Sequence, residues 1–270
     1  MLMKPTRLDE KEYPEYWSES EKQLRSMFKE MKEKHGMIAL KLGTEVEDCS
    51  FEYIDYLNKL TRGIMPVVVK IGGPDARNDI RKMLEIGVSG LIAPMVESHY
   101  GLKDFIEALK EIATEGQFRF VLKAINIETV YGYQHLDKIL GSPEAKELQQ
   151  ITVGRSDLSK SAGKTVDDIE VMKMTKEITE KAQAAGLVVS VGGGITPSNA
   201  RRIADEIKPD KINTRHVVIS LKYCPDPGEA IRKGLELEAA LMRNEQEKLN
   251  ARVAVLEKRI KELEKRTSKY

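Results

Sequence analysis

Cysteine is nearly missing from these 270 residues: only Cys49 and Cys224 occur, far apart and outside any CxxC pair. That usage suits two free thiols in a reducing cytoplasm. Histidine is also scarce, and His35, His99, His135 and His216 are scattered, so no His/Cys cluster suggests zinc. An excess of either charge is absent too. The 44 basic and 43 acidic residues leave a net +1, which gives no electrostatic footprint for nucleic acid or an anionic membrane. No apolar run approaches the ~20 residues that span a bilayer. The opening stretch MLMKPTRLDEKEYPEYW has neither the apolar core nor the cleavage-like site of a signal peptide. The expectation is a cytoplasmic protein with no nucleic-acid or membrane partner. What is present is 41% hydrophobic and 32% charged, the balance of a globular chain with a heavily solvated surface. Its length suffices for one large domain with a full core.

Three zones differ in texture. Residues 1–36 are polar and predict an N-terminal helical extension, with a helix from about Ser18 to Lys34. Residues 37–225 alternate short apolar runs with amphipathic segments. The runs are Met37–Leu42, Pro66–Ile71, Gly90–Met95, Phe118–Ile127, Gln150–Val153, Leu187–Val191 and Lys211–Ile219. Several are continuous rather than alternating, as parallel strands buried on both faces should be. Between them lie helical patterns such as DARNDIRKMLEIG and VDDIEVMKMTKEITEKAQAAG, with glycines after Ile86, Glu115 and Ala185 at natural C-cap positions. Strand–helix alternation implies a parallel sheet, open or closed into a TIM-type (β/α) barrel. Seven strands are legible and a barrel needs eight, so either one is irregular or the N-terminal zone closes it.

Residues 226–270 form one long charged helix with heptads. Leu235, Met242, Leu249, Leu256 and Leu263 fall at d, and Ala239, Gln246, Val253 and Ile260 at a. This seam predicts self-association through a coiled coil, hence a homo-oligomer, with an amphipathic helix folded back on the barrel as the alternative. Gln246 at a lowers stability and helps to set register.

Active sites of such barrels lie at the C-terminal ends of the strands. Here those ends carry Lys41, Glu45, Glu47 and Asp48, then Lys70, Glu97, Asn126 with Glu128, and Arg155 with Asp157. The last ends carry Gly192, Gly193 and Gly194, then Asn213, Arg215 and His216. Charges of both signs at nearly every strand end suggest a metal-and-anion site; a rim of salt bridges is the alternative. Glu128 and Asp157 follow neighbouring apolar strands, AINIE and ITVGRSD. They suit a hard cation, Mg²⁺ or Mn²⁺, bound through oxygen with positions left open for substrate. In VSVGGGITPSNARRI, a strand, a glycine turn and a helix start favour a phosphate or carboxylate, unless the turn is merely tight. Thr196 or Ser198 is placed to cap that helix.

The segments VVVKIGGPDARNDIRKMLEIGVSGLIAPMVES, NIETVYGYQHLDKIL and ITVGRSDLSKSAG resemble the HpcH/HpaI aldolase and citrate lyase β-subunit family, of the phosphoenolpyruvate/pyruvate barrel superfamily. The resemblance runs from about Ala39 to Ile219. It implies that Glu128 and Asp157 ligate a divalent metal, which chelates a 2-oxo-acid or the acyl part of a thioester and stabilises its enolate. Three departures mark a divergent subfamily. Lys70 stands where an arginine is usual and makes no bidentate clamp. The stretch KLGTEVEDCSFEYI lacks the acid/base histidine of many relatives. Arg155 replaces Pro or Asn.

The expected function is a metal-dependent carbon–carbon lyase or aldolase of a small 2-oxo-acid. In it Lys70 and Arg155 offset substrate and oxyanion charge, and Glu47 acts as acid/base, oriented by Lys41. Glu45, Asn126, the Gly192–Gly194 turn and Arg215 contact substrate. Two alternatives are a phosphoenolpyruvate-using transferase or condensing enzyme with a sugar-like acceptor, and a non-catalytic barrel scaffold.

Overall fold

The computed structural model describes residues 17–267, with side chains through residue 264. A first helix α1 (Glu19–Lys34) precedes strand β1 (Met37–Gly43). Then come α2 (Phe51–Leu60), β2 (Val67–Lys70), α3 (Arg77–Ile86), β3 (Gly90–Ala93), α4 (His99–Ile112) and α5 (Glu115–Phe120). The middle holds β4 (Leu122–Ile127), α6 (Val130–Gln134), α7 (Leu136–Leu140), β5 (Gln150–Gly154), α8 (Arg155–Ser161) and α9 (Ile169–Ala184). The chain continues through β6 (Val188–Gly192), α10 (Ala200–Ile207), β7 (Lys211–Asn213), β8 (Val217–Ser220) and a long α11 (Pro227–Thr267).

The eight strands close a barrel in sequence order. Neighbours from β1 to β7 are parallel, while β8 is antiparallel to both β7 and β1. The missing strand is thus inside the apolar run Lys211–Ile219, which is a hairpin and not one strand. Its turn, residues 214–216, is far too short for the dozen or more residues of a parallel crossover, so the chain must reverse. Thr214 fixes the reversal by accepting from the Val217 N–H at 3.0 Å through Oγ1 and donating its own N–H to the Val217 carbonyl at 3.1 Å. A further correction concerns the run Phe118–Ile127, whose first part is helical. Thr114 and Gln117 form a capping box that starts α5 there, so Gly116 lies within a helix and caps none. Gly87 and Gly186, with φ of 79° and 81°, do end α3 and α9 in the left-handed conformation.

The reversed β8 also sets the direction of the last helix. After β8 the chain stands at the floor of the barrel, so α11 climbs toward the mouth. Glu238 of α11 there accepts from the Thr214 hydroxyl at 2.5 Å and from the His216 N–H at 2.6 Å. The α1 helix descends beside it. Its N-cap Ser18 closes a capping box with Glu21, and Glu21 pairs with Lys248 of α11 at 3.0 Å. Tyr53 donates to the Leu241 carbonyl at 3.2 Å and Tyr56 to Asn244 Oδ1 at 2.9 Å, which ties α2 to the same stretch.

Two apolar layers result. The larger lies between sheet and helices and includes Leu24, Phe28, Leu40, Phe105, Ile178, Ile231 and Leu237. The smaller plugs the barrel interior with Ala39, Val68, Ile92, Ala124 and Val218. Side chains of a strand alternate in direction, so the positions two residues further along share the interior. These are Lys41, Lys70 and Asn126, and above the plug the interior turns polar.

Candidate active site

Glu128 is the centre of the polar mouth. It follows β4 by one residue, is 4% exposed, and shares a face with Asn126. Its Oε1 accepts from the Met95 N–H at 2.9 Å and its Oε2 from Asn126 Nδ2 at 3.1 Å. Met95 adopts φ 52°, a left-handed conformation that a non-glycine residue rarely takes, and thereby turns its N–H toward the carboxylate. Gly154 at the end of β5 makes room on the other side. A Cβ there would sit 2.4 Å from Glu128 Oε2. Burial raises the Glu128 pKa above its ordinary value against the Met95 N–H, the Lys70 charge and the Asn126 amide, and the Asp157 charge adds to the rise. Asp157 stands in the first turn of α8, partly exposed, with Lys160 at 3.0 Å.

Lys70, Lys41 and Glu47 form a largely buried charge network beside this pair, with Glu45 at its exposed edge. Lys70 Nζ lies 3.3 Å from Glu45 and 3.5 Å from Glu47, and Lys41 Nζ lies 3.8 Å from Glu47. Glu47 bends back over the strand end, where a Cβ on Gly43 would meet its Oε2 at 2.3 Å. Burial pushes the Glu47 pKa up, but Lys41 and Lys70 outweigh it and hold the carboxyl below its ordinary value. Burial pulls Lys70 down, yet Glu47, Glu45 and Glu128 together raise it. For Lys41 burial prevails over Glu47, and its pKa is lowered. His216 Nδ1 is 2.9 Å from the Lys41 carbonyl, which links the β7–β8 turn to β1. Glu47 Oε2 and Asn126 Oδ1 are buried without a hydrogen-bond partner. A ligand seated here would meet two acceptors already withdrawn from water.

Other sequence candidates are placed differently. Arg155 is fully buried, and its guanidinium donates to the carbonyls of Val166 and Gly193, at 2.5 and 3.4 Å, with Asp167 at 3.3 Å. Its contacts therefore brace the loop before α9 and do not join the Lys70–Glu128 group. The glycine turn serves close packing: added Cβ atoms would reach Asn213 Nδ2 at 2.4 Å from Gly192, Ser156 N at 2.4 Å from Gly193, and Val166 at 2.7 Å from Gly194. Gly193 and Gly194 also have φ of 87° and 65°, so both the space and the backbone require glycine. Thr196, not Ser198, accepts the Asn199 N–H, at 3.3 Å, just before α10. Arg215 is exposed at the tip of the β7–β8 turn.

Sequence reasoning missed Met95, Gly154 and Glu238. Met95 acts through its backbone and carries no side-chain signal. Glu238 lies on a helix read only for its heptads. Gly154, directly before RSD, was the one discoverable member, since a glycine ending a strand beside an acidic motif marks a close approach.

The donor set suits a hard divalent cation. Two carboxylates are near enough for one to raise the other's pKa, and a cation would relieve both the burial and the mutual repulsion. Among the described residues no group of three or more His, Cys, Asp or Glu side chains is arranged to hold a metal.

A closed barrel with acids and bases gathered at the carboxyl ends of its strands has the architecture of the TIM-barrel enzymes. A family model described as HpcH/HpaI aldolase/citrate lyase matches residues 52–200, more than half of the chain, and the chain belongs to that family. No curated protein matches its sequence. Among solved structures, an HpcH/HpaI aldolase from Desulfitobacterium hafniense DCB-2 is 16% identical, with a TM-score of 0.57 over 69% of this chain and 78% of that one. The citrate synthase SbnG is 18% identical, with a TM-score of 0.56 over 83% and 89%. A family protein from Burkholderia cenocepacia J2315 is 12% identical, with a TM-score of 0.54 over 67% and 89%. At these identities the likeness establishes the fold.

Proposed function

We propose that this protein is a divalent-metal-dependent lyase or aldolase that makes or breaks a carbon–carbon bond next to a small 2-oxo-acid, with pyruvate as the enolisable unit. The observation that carries this reading is Glu128: a buried carboxylate at a strand end, fixed by two donors. Glu128 and Asp157 would hold Mg²⁺ or Mn²⁺, which supplies Lewis-acid stabilisation of negative charge on the substrate oxygens.

The chain's own residues do the rest. Lys70 places a fixed positive charge beside Glu128, where the substrate carboxylate would lie, and its partners keep it protonated. Glu47, ionised and held between two lysines, is the group to take up or return a proton through Oε2, which makes no hydrogen bond and has Lys70 Nζ at 3.5 Å. Lys41 orients Glu47 from the strand behind it. Asn126 orients Glu128 and keeps Oδ1 for a substrate hydroxyl. Glu45 and Arg215, both exposed, are rim contacts for the more distant part of the substrate, and the packed glycine turn after β6 shapes another part of the rim.

The test is pyruvate release from a panel of hydroxy-oxo-acids, before and after chelation and with Mg²⁺ or Mn²⁺ restored. Turnover should vanish with chelator and return with metal. Glu128→Gln and Asp157→Asn should each abolish both turnover and metal binding by calorimetry. A rate indifferent to chelation overturns the proposal.

A further inference from the structure

The long α11 helix presents two faces with different occupants. Ala230, Ile231, Gly234, Leu237, Glu238, Leu241 and Asn244 are buried against the barrel and α1. With Ala239 taken as a, these residues fall at c, f and g: c and f lie away from the a/d seam, while g borders it. The seam itself points outward: Leu235, Met242, Leu249, Val253, Leu256, Ile260 and Leu263 are all between 41% and 58% exposed. From Leu235 to Leu263 it is about 42 Å long. An apolar stripe of that length is built to be covered; the barrel and α1 take the other side of the helix only as far as Asn244.

We propose that a second copy of this chain covers it, in a parallel, in-register, two-stranded coiled coil. The charges select the occupant. Arg252 and Arg259 stand at g, and Glu257 and Glu264 at e. In a parallel pair each g residue faces the e residue five positions on in the partner, so Arg252 meets Glu257 and Arg259 meets Glu264, on both sides of the seam. An antiparallel pair would instead set g against g and e against e, arginine against arginine and glutamate against glutamate. Val253 and Ile260 at a, with leucine at d, favour two strands over three or four. Gln246 at a meets its own copy only in register. The buried residues of α11 end at Asn244, so the seam from Leu249 to Leu263 is open on every side for a second copy.

Sedimentation equilibrium of the full chain should give twice the chain mass at micromolar concentration. Leu249→Glu with Leu256→Glu should give the single mass while the far-ultraviolet spectrum of the barrel persists. Arg252→Glu with Arg259→Glu, and separately Glu257→Arg with Glu264→Arg, should each be monomeric alone and form a heterodimer when mixed. Leu263→Cys should cross-link through position 263 under mild oxidation, since parallel register sets the two copies of that residue side by side. A monomeric parent chain, three or more strands, charge variants that still self-associate alone, or a dimer in which position 263 fails to link would each overturn the proposal. None of these readouts depends on turnover.

Discussion

Replacing Glu47 by glutamine isolates the charge network from everything else at the mouth. The change keeps shape and removes one negative charge from between Lys41 at 3.8 Å and Lys70 at 3.5 Å. At an effective dielectric of about 20 the two attractions amount to about 4 and about 5 kcal/mol gross. Desolvation offsets part of that, and removal of one partner from a buried ion pair costs about 3–5 kcal/mol net. The lower end applies here, because Lys41 already has a depressed pKa and can shed its proton when Glu47 is neutralised. For a domain of this size about 3 kcal/mol lowers the melting temperature by roughly 6–12 °C. The pH dependence has a definite sign. Glu47 titrates below the ordinary carboxylate value in the folded chain, so its stabilisation is complete above that ordinary value and is lost as pH falls through the folded pKa. Calorimetric melts of parent and Glu47→Gln chains should therefore differ at neutral pH and converge in acid. An undiminished gap in acid, or no gap at neutral pH, would refute the reasoning. Adding Lys70→Gln to Glu47→Gln should cost less than the sum of the two changes, since each removes the other's partner.

Gly154→Ala places a methyl group where Glu128 Oε2 now lies, 2.4 Å away, and should reduce kcat/KM by about 10²-fold while the circular dichroism of the barrel is retained. Ser18→Ala removes the α1 cap and should cost about 1 kcal/mol in denaturant titration, with turnover unchanged. For Glu21, burial raises the pKa but the Ser18 N–H, Lys248 and the Ser18 hydroxyl outweigh it, so the folded value is lowered. Glu21→Gln should therefore lower the melting temperature at neutral pH and have a vanishing effect as pH falls below the ordinary carboxylate value. A constant difference across that range would contradict the assignment.

The sequence made the barrel legible because buried parallel strands are continuous apolar runs and each is followed by an amphipathic helix. The eighth strand was hidden by the same rule, since Lys211–Ile219 is apolar at both ends and nothing within Asn213–His216 announces a reversal. Glu128 and Asp157 were readable as acids directly behind such strands. What local sequence does not encode is where a long side chain points. Arg155 looked like an anion clamp beside Asp157, but residues eleven and twelve further on and the glycine just past the next strand satisfy most of its guanidinium. Similarly, the glycine run read as an anion cradle is occupied on its Cα side by neighbouring chain. Tertiary proximity, absent from any window of sequence, decides both.

The backwards eighth strand has a practical corollary for handling the protein. Because α11 passes the open end of the barrel at Glu238 and runs on to Thr267, a further rise of about 43 Å, a reporter, purification handle or surface tether joined to its far end would sit on the entrance side of the molecule. The floor, where β8 gives way to α11 around Tyr223–Asp226, offers attachment on the opposite pole, away from the entry path.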